Sequence, residues 1–227
     1  MSEVAEANRL YDANQRKELH EYLLQFGQSE DPELLWRSAR AYRDRSVMAD
    51  VSEEEKKQLI MDGMEVAKRA LEFGPDNYAC HKWYGVLLSR TGDYLGNKVK
   101  ISNALTIKEH FEKAVELNPS DATSHYLIGM WCFNCANLAW YERKIAAALF
   151  GTPPTSTYEE ALAHFLKAEE MSPSFYSDNQ LQIGEMYLKT SKKAEAKEWF
   201  TKLTSYEAKT DEDRVKIEAA QKHLKSL

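Results

Sequence analysis

The chain has 227 residues, 43% of them hydrophobic, with five Trp, nine Gly, six Pro and a net charge of −6. That content excludes wholesale disorder, and so few Gly and Pro are ordinary for a helical protein but sparse for a β-sandwich. Three Cys do not make a disulfide framework, and an acidic balance excludes a general polyanion binder, so no nucleic-acid partner is expected.

The chain opens on MSEVAEANRL, where acids stand in place of the bases and apolar core that a secretory signal needs. From there the apolar residues recur at helical period, with no run of alternating strands. EEALAHFLKAEEM (159–171), for example, puts Ala161, Phe165, Leu166 and Ala168 on one stripe. Three helix ends resemble one another in order along the chain: ALEFGPDN (70–77), AVELNPSD (114–121) and AEEMSPSF (168–175). Each has an Ala five residues before a Pro, where proline stops a helix by lacking an N–H and crowding the preceding turn. A small residue follows each Pro at nearly fixed distance (Gly85, Gly129, Gly184), and Ala39 and Ala7 are the upstream equivalents.

This is the tetratricopeptide pattern with its internal distances stretched. Stacking between repeats fixes the junctions, whereas the turn inside a hairpin can grow outward into solvent. The expected fold is all-α: a tetratricopeptide-like solenoid of helical hairpins with enlarged intra-repeat connections and a C-terminal capping helix. It is read as one domain over 1–227, with hairpins near 3–31, 33–74, 77–118, 121–172 and 177–206 and the cap over 211–226. Supporting positions are Phe111 in the third hairpin, Ala161 and Phe165 in the fourth, and Tyr187, Ala196 and Phe200 in the fifth. The first hairpin matches least.

ATSHYLIGMWCFNCANLAWY (122–141) carries no formal charge in a chain that is 29% charged. His125, Asn134, Asn137, Ser124 and Thr123 argue against a membrane span, so the run is read as a soluble helix buried on most sides. It is expected to continue as one helix from Ala122 to Phe150. Gly151 then ends it, Pro153 and Pro154 extend the link, and Ser156 or Thr157 caps the next helix with Glu159 or Glu160.

Cys132 and Cys135 have the spacing of a zinc or redox pair, but only Cys80 remains as a further thiol, so structural cysteine is the preferred reading. His20-Glu21 and Glu109-His110 read as isolated neighbours on helix surfaces. No phosphate-loop, dinucleotide or nucleophile-elbow motif occurs. No catalytic residue, metal or cofactor is therefore expected, and the protein is read as no enzyme.

The first helices of such repeats line a concave face through their positions 5, 9 and 12. Those positions read Trp36, Arg40 and Arg43; Lys82, Val86 and Ser89; Tyr126, Met130 and Phe133; Leu181, Glu185 and Leu188. With Arg90, the cations fall in the N-terminal half and apolar groups follow. This suits an extended ligand with acidic and apolar parts, a peptide or a lipid. The bland alternative is that the arginines only solvate a face or bridge to nearby acids. A second basic surface is Lys189, Lys192, Lys193 and Lys197, within a C-terminal stretch (189–227) of ten bases against seven acids.

AWYERKIAAALFGTPPTSTYEEALAHFLKAEEMSPSF (139–175), HKWYGVLL (81–88) and the segment 92–133 are more specific than a generic repeat. They resemble the regulator of microtubule dynamics family, and the likeness covers roughly residues 30–205. The resemblance implies a microtubule-associated, non-enzymatic adaptor in spindle organisation and chromosome segregation, binding tubulin or a spindle protein. The vertebrate relatives carry an N-terminal hydrophobic anchor and include a mitochondrial tether to the endoplasmic reticulum whose repeats are associated with phospholipid. Anionic phospholipid in the groove is thus the alternative ligand. No transmembrane anchor is read ahead of the repeats here, so the chain is similar to the short, soluble nematode member. Its expected place is the cytoplasm, on the cytoskeleton and spindle.

Overall fold

A computed structural model of the chain describes residues 2–227. Thirteen α-helices and no strand occur among the described residues, and the contacts gather them into two compact units, one ending at Pro119 and one running from Ser120 to Leu227.

The first unit holds α1 (Glu3–Asp12), α2 (Arg16–Leu24), α3 (Pro32–Ser46), α4 (Glu53–Phe73), α5 (Tyr78–Leu95), α6 (Asn97–Ser102) and α7 (Ala104–Leu117). Helix α1 packs on α2 and α3, α3 on α4 and α5, and α5 on α7. Local signals set the ends. Asp31 accepts from the Glu33 N–H at 2.9 Å with Pro32 as the first helical residue, and Ser52 and Glu55 form a reciprocal capping box on α4. Two apolar clusters form here: Ala7, Leu10, Leu19, Leu23 and Leu34 between the first helices, then Ala39, Ile60, Met64, Ala67 and Leu87.

The second unit holds α8 (Ala122–Ala136), α9 (Trp140–Phe150), α10 (Tyr158–Met171), α11 (Ser177–Lys189), α12 (Lys193–Thr204) and α13 (Asp211–Ser226). Helix α8 packs on α10, α10 on α11, α11 on α12, and α13 closes against α11 and α12. Its core is Leu181, Ala196, Phe200, Leu203 and Ala220.

The junction read from sequence is a real structural repeat. At each of the three ends the residue after the helix donates its N–H to the same alanine: Gly74 to Ala70 at 2.9 Å, Asn118 to Ala114 at 2.9 Å, Ser172 to Ala168 at 3.1 Å. All three alanines are fully buried. The small residues face an aromatic ring from the second helix of their own hairpin. A Cβ on Gly85 would lie 2.5 Å from Phe111, one on Gly129 2.6 Å from Phe165, and one on Gly184 would run into Phe200.

The single helix expected from Ala122 to Phe150 is two. Helix α8 stops at Ala136, and α9 starts at Trp140 after the extended Ala139. No Gly or Pro causes the break. Glu142 turns back to accept from the Ala139 N–H at 2.8 Å, and Arg143 donates to the carbonyls of Ala136 and Leu138 at 3.2 Å each. One side chain thus caps the end of α8 and the other the start of α9. Downstream, Gly151 takes φ +70°, a left-handed conformation that glycine adopts without a Cβ penalty, and Thr157 with Glu160 caps α10.

Candidate functional site: a cation–aromatic ladder in the first unit

Helices α1, α2 and α3 bring together three arginines and two aromatic rings. The Arg16 and Arg40 guanidinium carbons lie 3.7 and 3.4 Å from the centroid of the Tyr11 ring. Two groups that close to one centroid must take its opposite faces. Arg40 also lies 5.2 Å from the Trp36 ring, and Arg37 lies 4.1 Å from it. The side chains therefore alternate as Arg16, Tyr11, Arg40, Trp36, Arg37. Attraction between cation and ring quadrupole holds each rung, and partial burial strengthens it.

The outer rungs have carboxylates of their own. Arg37 donates to Glu33 Oε2 at 2.6 Å and to the Asn8 side-chain oxygen at 2.8 Å. Burial acts to raise the Glu33 carboxyl, but bonds from Arg37, Trp36 and Asn77 overcome it and hold it below the usual range. Arg16 lies 3.7 Å from Asp44, whose other oxygen accepts from Arg43 at 3.2 Å. Burial lowers the pKa of Arg40 against the opposing pull of Tyr11 and Asp44, with the charges of Arg16 and Arg37 adding to the lowering, and Arg40 stays a cation nonetheless.

Trp36 and Arg40 thus stand in one cluster, and Arg43 joins it through Asp44. Lys82 is buried with its ammonium 5.0 Å from the Tyr78 ring, Val86 is half-buried, and the exposed Arg90 lies 3.6 Å from Asp93. Tyr126, Met130 and Phe133 belong to the second unit. Tyr126 is buried and donates its hydroxyl to Asp178, which Lys216 pairs at 2.5 Å; Met130 and Phe133 are half-buried, with the Phe133 ring near Tyr158. Lys189, Lys192, Lys193 and Lys197 are all exposed at the end of α11 and the start of α12.

The sequence reading omitted Tyr11, Arg16 and Arg37. A signal for Tyr11 was present: with Ala7 at position 8 of the first hairpin, positions 9 and 12 are Asn8 and Tyr11, and both touch the arginines of α3.

The histidines need one correction. His110 is not an isolated surface residue: its Nδ1 lies 2.9 Å from His81 Nδ1, and His81 Nε2 lies 2.8 Å from the Pro75 carbonyl. A carbonyl only accepts, so His81 donates from Nε2 to Pro75, and at the Nδ1–Nδ1 contact one ring donates and the other accepts. His20 likewise is half-buried, edge-on to Tyr42.

Cys80, Cys132 and Cys135 are buried and form no disulfide; burial first, then the charge of Glu33, pushes the Cys80 thiol up to about 12, far from a reactive thiolate. Among the described residues no three His, Cys, Asp or Glu groups stand close enough to hold a metal ion, and no helix is long and apolar enough to cross a membrane.

Hairpins that repeat one alanine-capped junction and one glycine–phenylalanine contact define a tetratricopeptide-like, all-α repeat protein. The solved structure of TTC0263, a thermophilic TPR protein of Thermus thermophilus, shares the fold with a TM-score of 0.65 over 96% of this chain and 97% of that one, at 16% identity. The chain belongs to the family described as regulator of microtubule dynamics protein 1-3, which matches residues 4–227. Regulator of microtubule dynamics protein 1 of Mus musculus is 52% identical over 219 residues, 96% of this chain and 72% of that protein. The Bos taurus protein of the same name is 52% identical over 219 residues, covering 96% and 69%.

Proposed function

We propose that this protein is a non-enzymatic, microtubule-associated adaptor that binds tubulin or a spindle partner through its repeat surface, with its place of action the cytoskeleton and spindle. The support is membership of a family whose relatives are named regulators of microtubule dynamics. The observation that turns this into a mechanism is the ladder. A chain of net charge −6 meets an acidic partner only through a local cationic surface, and the partly buried arginines of α2 and α3 are one candidate for it. The flat faces of Arg16, Arg37 and Arg40 rest on rings, and Glu33 already takes the edge of Arg37 within the cluster. Exposed Lys189, Lys192, Lys193 and Lys197 form a second cationic surface on the other unit.

Co-sedimentation of the purified chain with stabilised microtubules tests the reading. Pelleting that declines as salt rises is expected, because exposed charge pairs are screened within about 10 Å at 0.1 M salt. Protein that stays in the supernatant at every salt concentration removes direct lattice binding and leaves recruitment by another factor. Retention of anionic phospholipid by the same preparation, without pelleting, would make the lipid reading the better one.

A further inference from the structure

We infer that α9 is an interfacial helix, whose outward face docks on the surface of an anionic lipid bilayer. This contact lies outside the proposed microtubule role, and it uses neither the arginine cluster nor a lipid held in a groove.

The apolar period of α9 faces away from the core. Tyr141, Ile145, Ala148 and Leu149 recur at i, i+4, i+7 and i+8, the spacing of a helix face that a globular protein packs inward, and Trp140 lies beside them. Yet Ala146 is the one residue of the helix that is buried. Trp140, Tyr141 and Leu149 are 71%, 45% and 38% exposed, and Ile145 is half-buried. The Trp140 and Tyr141 rings meet edge to face with centroids 6.1 Å apart, so together they form one open aromatic platform. An apolar face left open in this way marks a docking surface.

Charge selects what docks there. From residue 122 to residue 158 the only charged side chains are Glu142, Arg143 and Lys144. Glu142 folds back onto the Ala139 N–H, whereas Arg143 and Lys144 are exposed and neither pairs with an acid among the described residues. Lys68, Lys113 and Lys167 on other helices, by contrast, each pair with a Glu three residues away. The outward face of α9 is therefore locally positive on a chain of net charge −6, and an anionic surface attracts it. The Lys144 ammonium lies 4.9 Å from the Trp140 ring, so a cation and two amphipathic rings meet at one level. That is the arrangement by which rings settle among lipid headgroups while a lysine reaches a phosphate.

The helix offers a ridge, which a lipid surface accommodates without a preformed cavity. A second copy of this chain fits less well, because Lys144 stands near the middle of the face and a two-fold pairing would set Lys144 against Lys144. Eleven residues make about 16 Å of helix, short of the roughly 30 Å of a bilayer core, so α9 lies in the headgroup plane and does not cross.

The test is flotation of the full chain with vesicles of phosphatidylserine and phosphatidylcholine, and with phosphatidylcholine alone. The wild type is compared with Lys144→Glu and with a Trp140→Ser/Tyr141→Ser double variant, with a thermal melt of each. The wild type should float with the anionic vesicles at low salt, severalfold less with the zwitterionic ones, and little at about 1 M salt, where charges are screened within about 3 Å. The double variant should bind about tenfold more weakly and Lys144→Glu severalfold more weakly, at unchanged melting temperatures. Anionic vesicles should also shift the wild-type tryptophan emission to the blue and leave that of the double variant in place. If the double variant melts lower, Lys144→Glu decides. Equal flotation of wild type and variants, or a wild type that never floats, overturns the inference. Equal binding to both vesicle types overturns the anionic assignment, and phospholipid retained in gel filtration without flotation points to a groove instead of α9. Failed flotation with microtubule pelleting intact removes this contact alone, whereas flotation without pelleting removes only the microtubule role.

Discussion

At the scale of single residues, the fold depends on glycines and alanines that allow two helices to touch. Gly129 faces Phe165, a fully buried ring, with no room for even a methyl group. Gly129→Leu should therefore cost about 3 kcal/mol by overpacking, read as a shifted urea midpoint with an unchanged slope. An unaltered midpoint would mean that this contact does not hold the hairpin. These pairs were legible in the sequence because a small residue and an aromatic keep a fixed order around each Pro. The ladder was legible only in part. The register singled out Arg40 and Arg43 but not Arg16 and Arg37, which reach Tyr11 and Trp36 through stacking, a contact with no characteristic spacing. The same contacts decide what a charge reversal does. Arg43→Glu would set a second carboxylate beside Asp44, so it should lower stability by about 1 kcal/mol, and Arg43→Gln is the cleaner probe of binding.

Elements show how side chains override the helical period. Residues 122–150 carry an unbroken helical pattern, and only the reach of Glu142 and Arg143 back to the backbone divides them. Such caps look like ordinary surface charges in a sequence, which is why the break was not legible. The freed helix α9 buries only Ala146, while Trp140 is 71% exposed. Trp140→Ser should leave stability within about 0.5 kcal/mol of wild type by thermal melting. A large loss would mean that the indole is covered in solution. The α5–α7 hairpin makes the opposite kind of prediction. Burial, then the neighbouring His81, pulls His110 from its ordinary 6.5 down to about 4. The unfolded chain therefore takes up this proton first on acidification. The contribution is complete above pH 6.5 and is lost as the pH falls toward 4. Melting temperatures across that window should fall less steeply for His110→Gln than for wild type, and equal slopes would remove His110 as the source.

For the whole molecule, net charge constrains the proposed function. If the partner is acidic, an acidic chain meets it through a local cationic surface that offsets the general repulsion. Fold class, junctions and capping helix followed from the sequence because close packing repeats the same residue types at each hairpin. The internal pairing of the arginines did not follow, since charge spacing alone does not show that Glu33 takes Arg37 and Asp44 takes Arg43. Microtubule co-sedimentation across a salt series, with Arg40→Met and a Lys189/Lys192/Lys193/Lys197→Gln variant beside the wild type, tests this account most directly. Salt-sensitive pelleting of the wild type that at least one of the two variants weakens is the predicted result. Pelleting unchanged in both variants, or wild-type protein that never pellets, would contradict direct binding through a cationic surface.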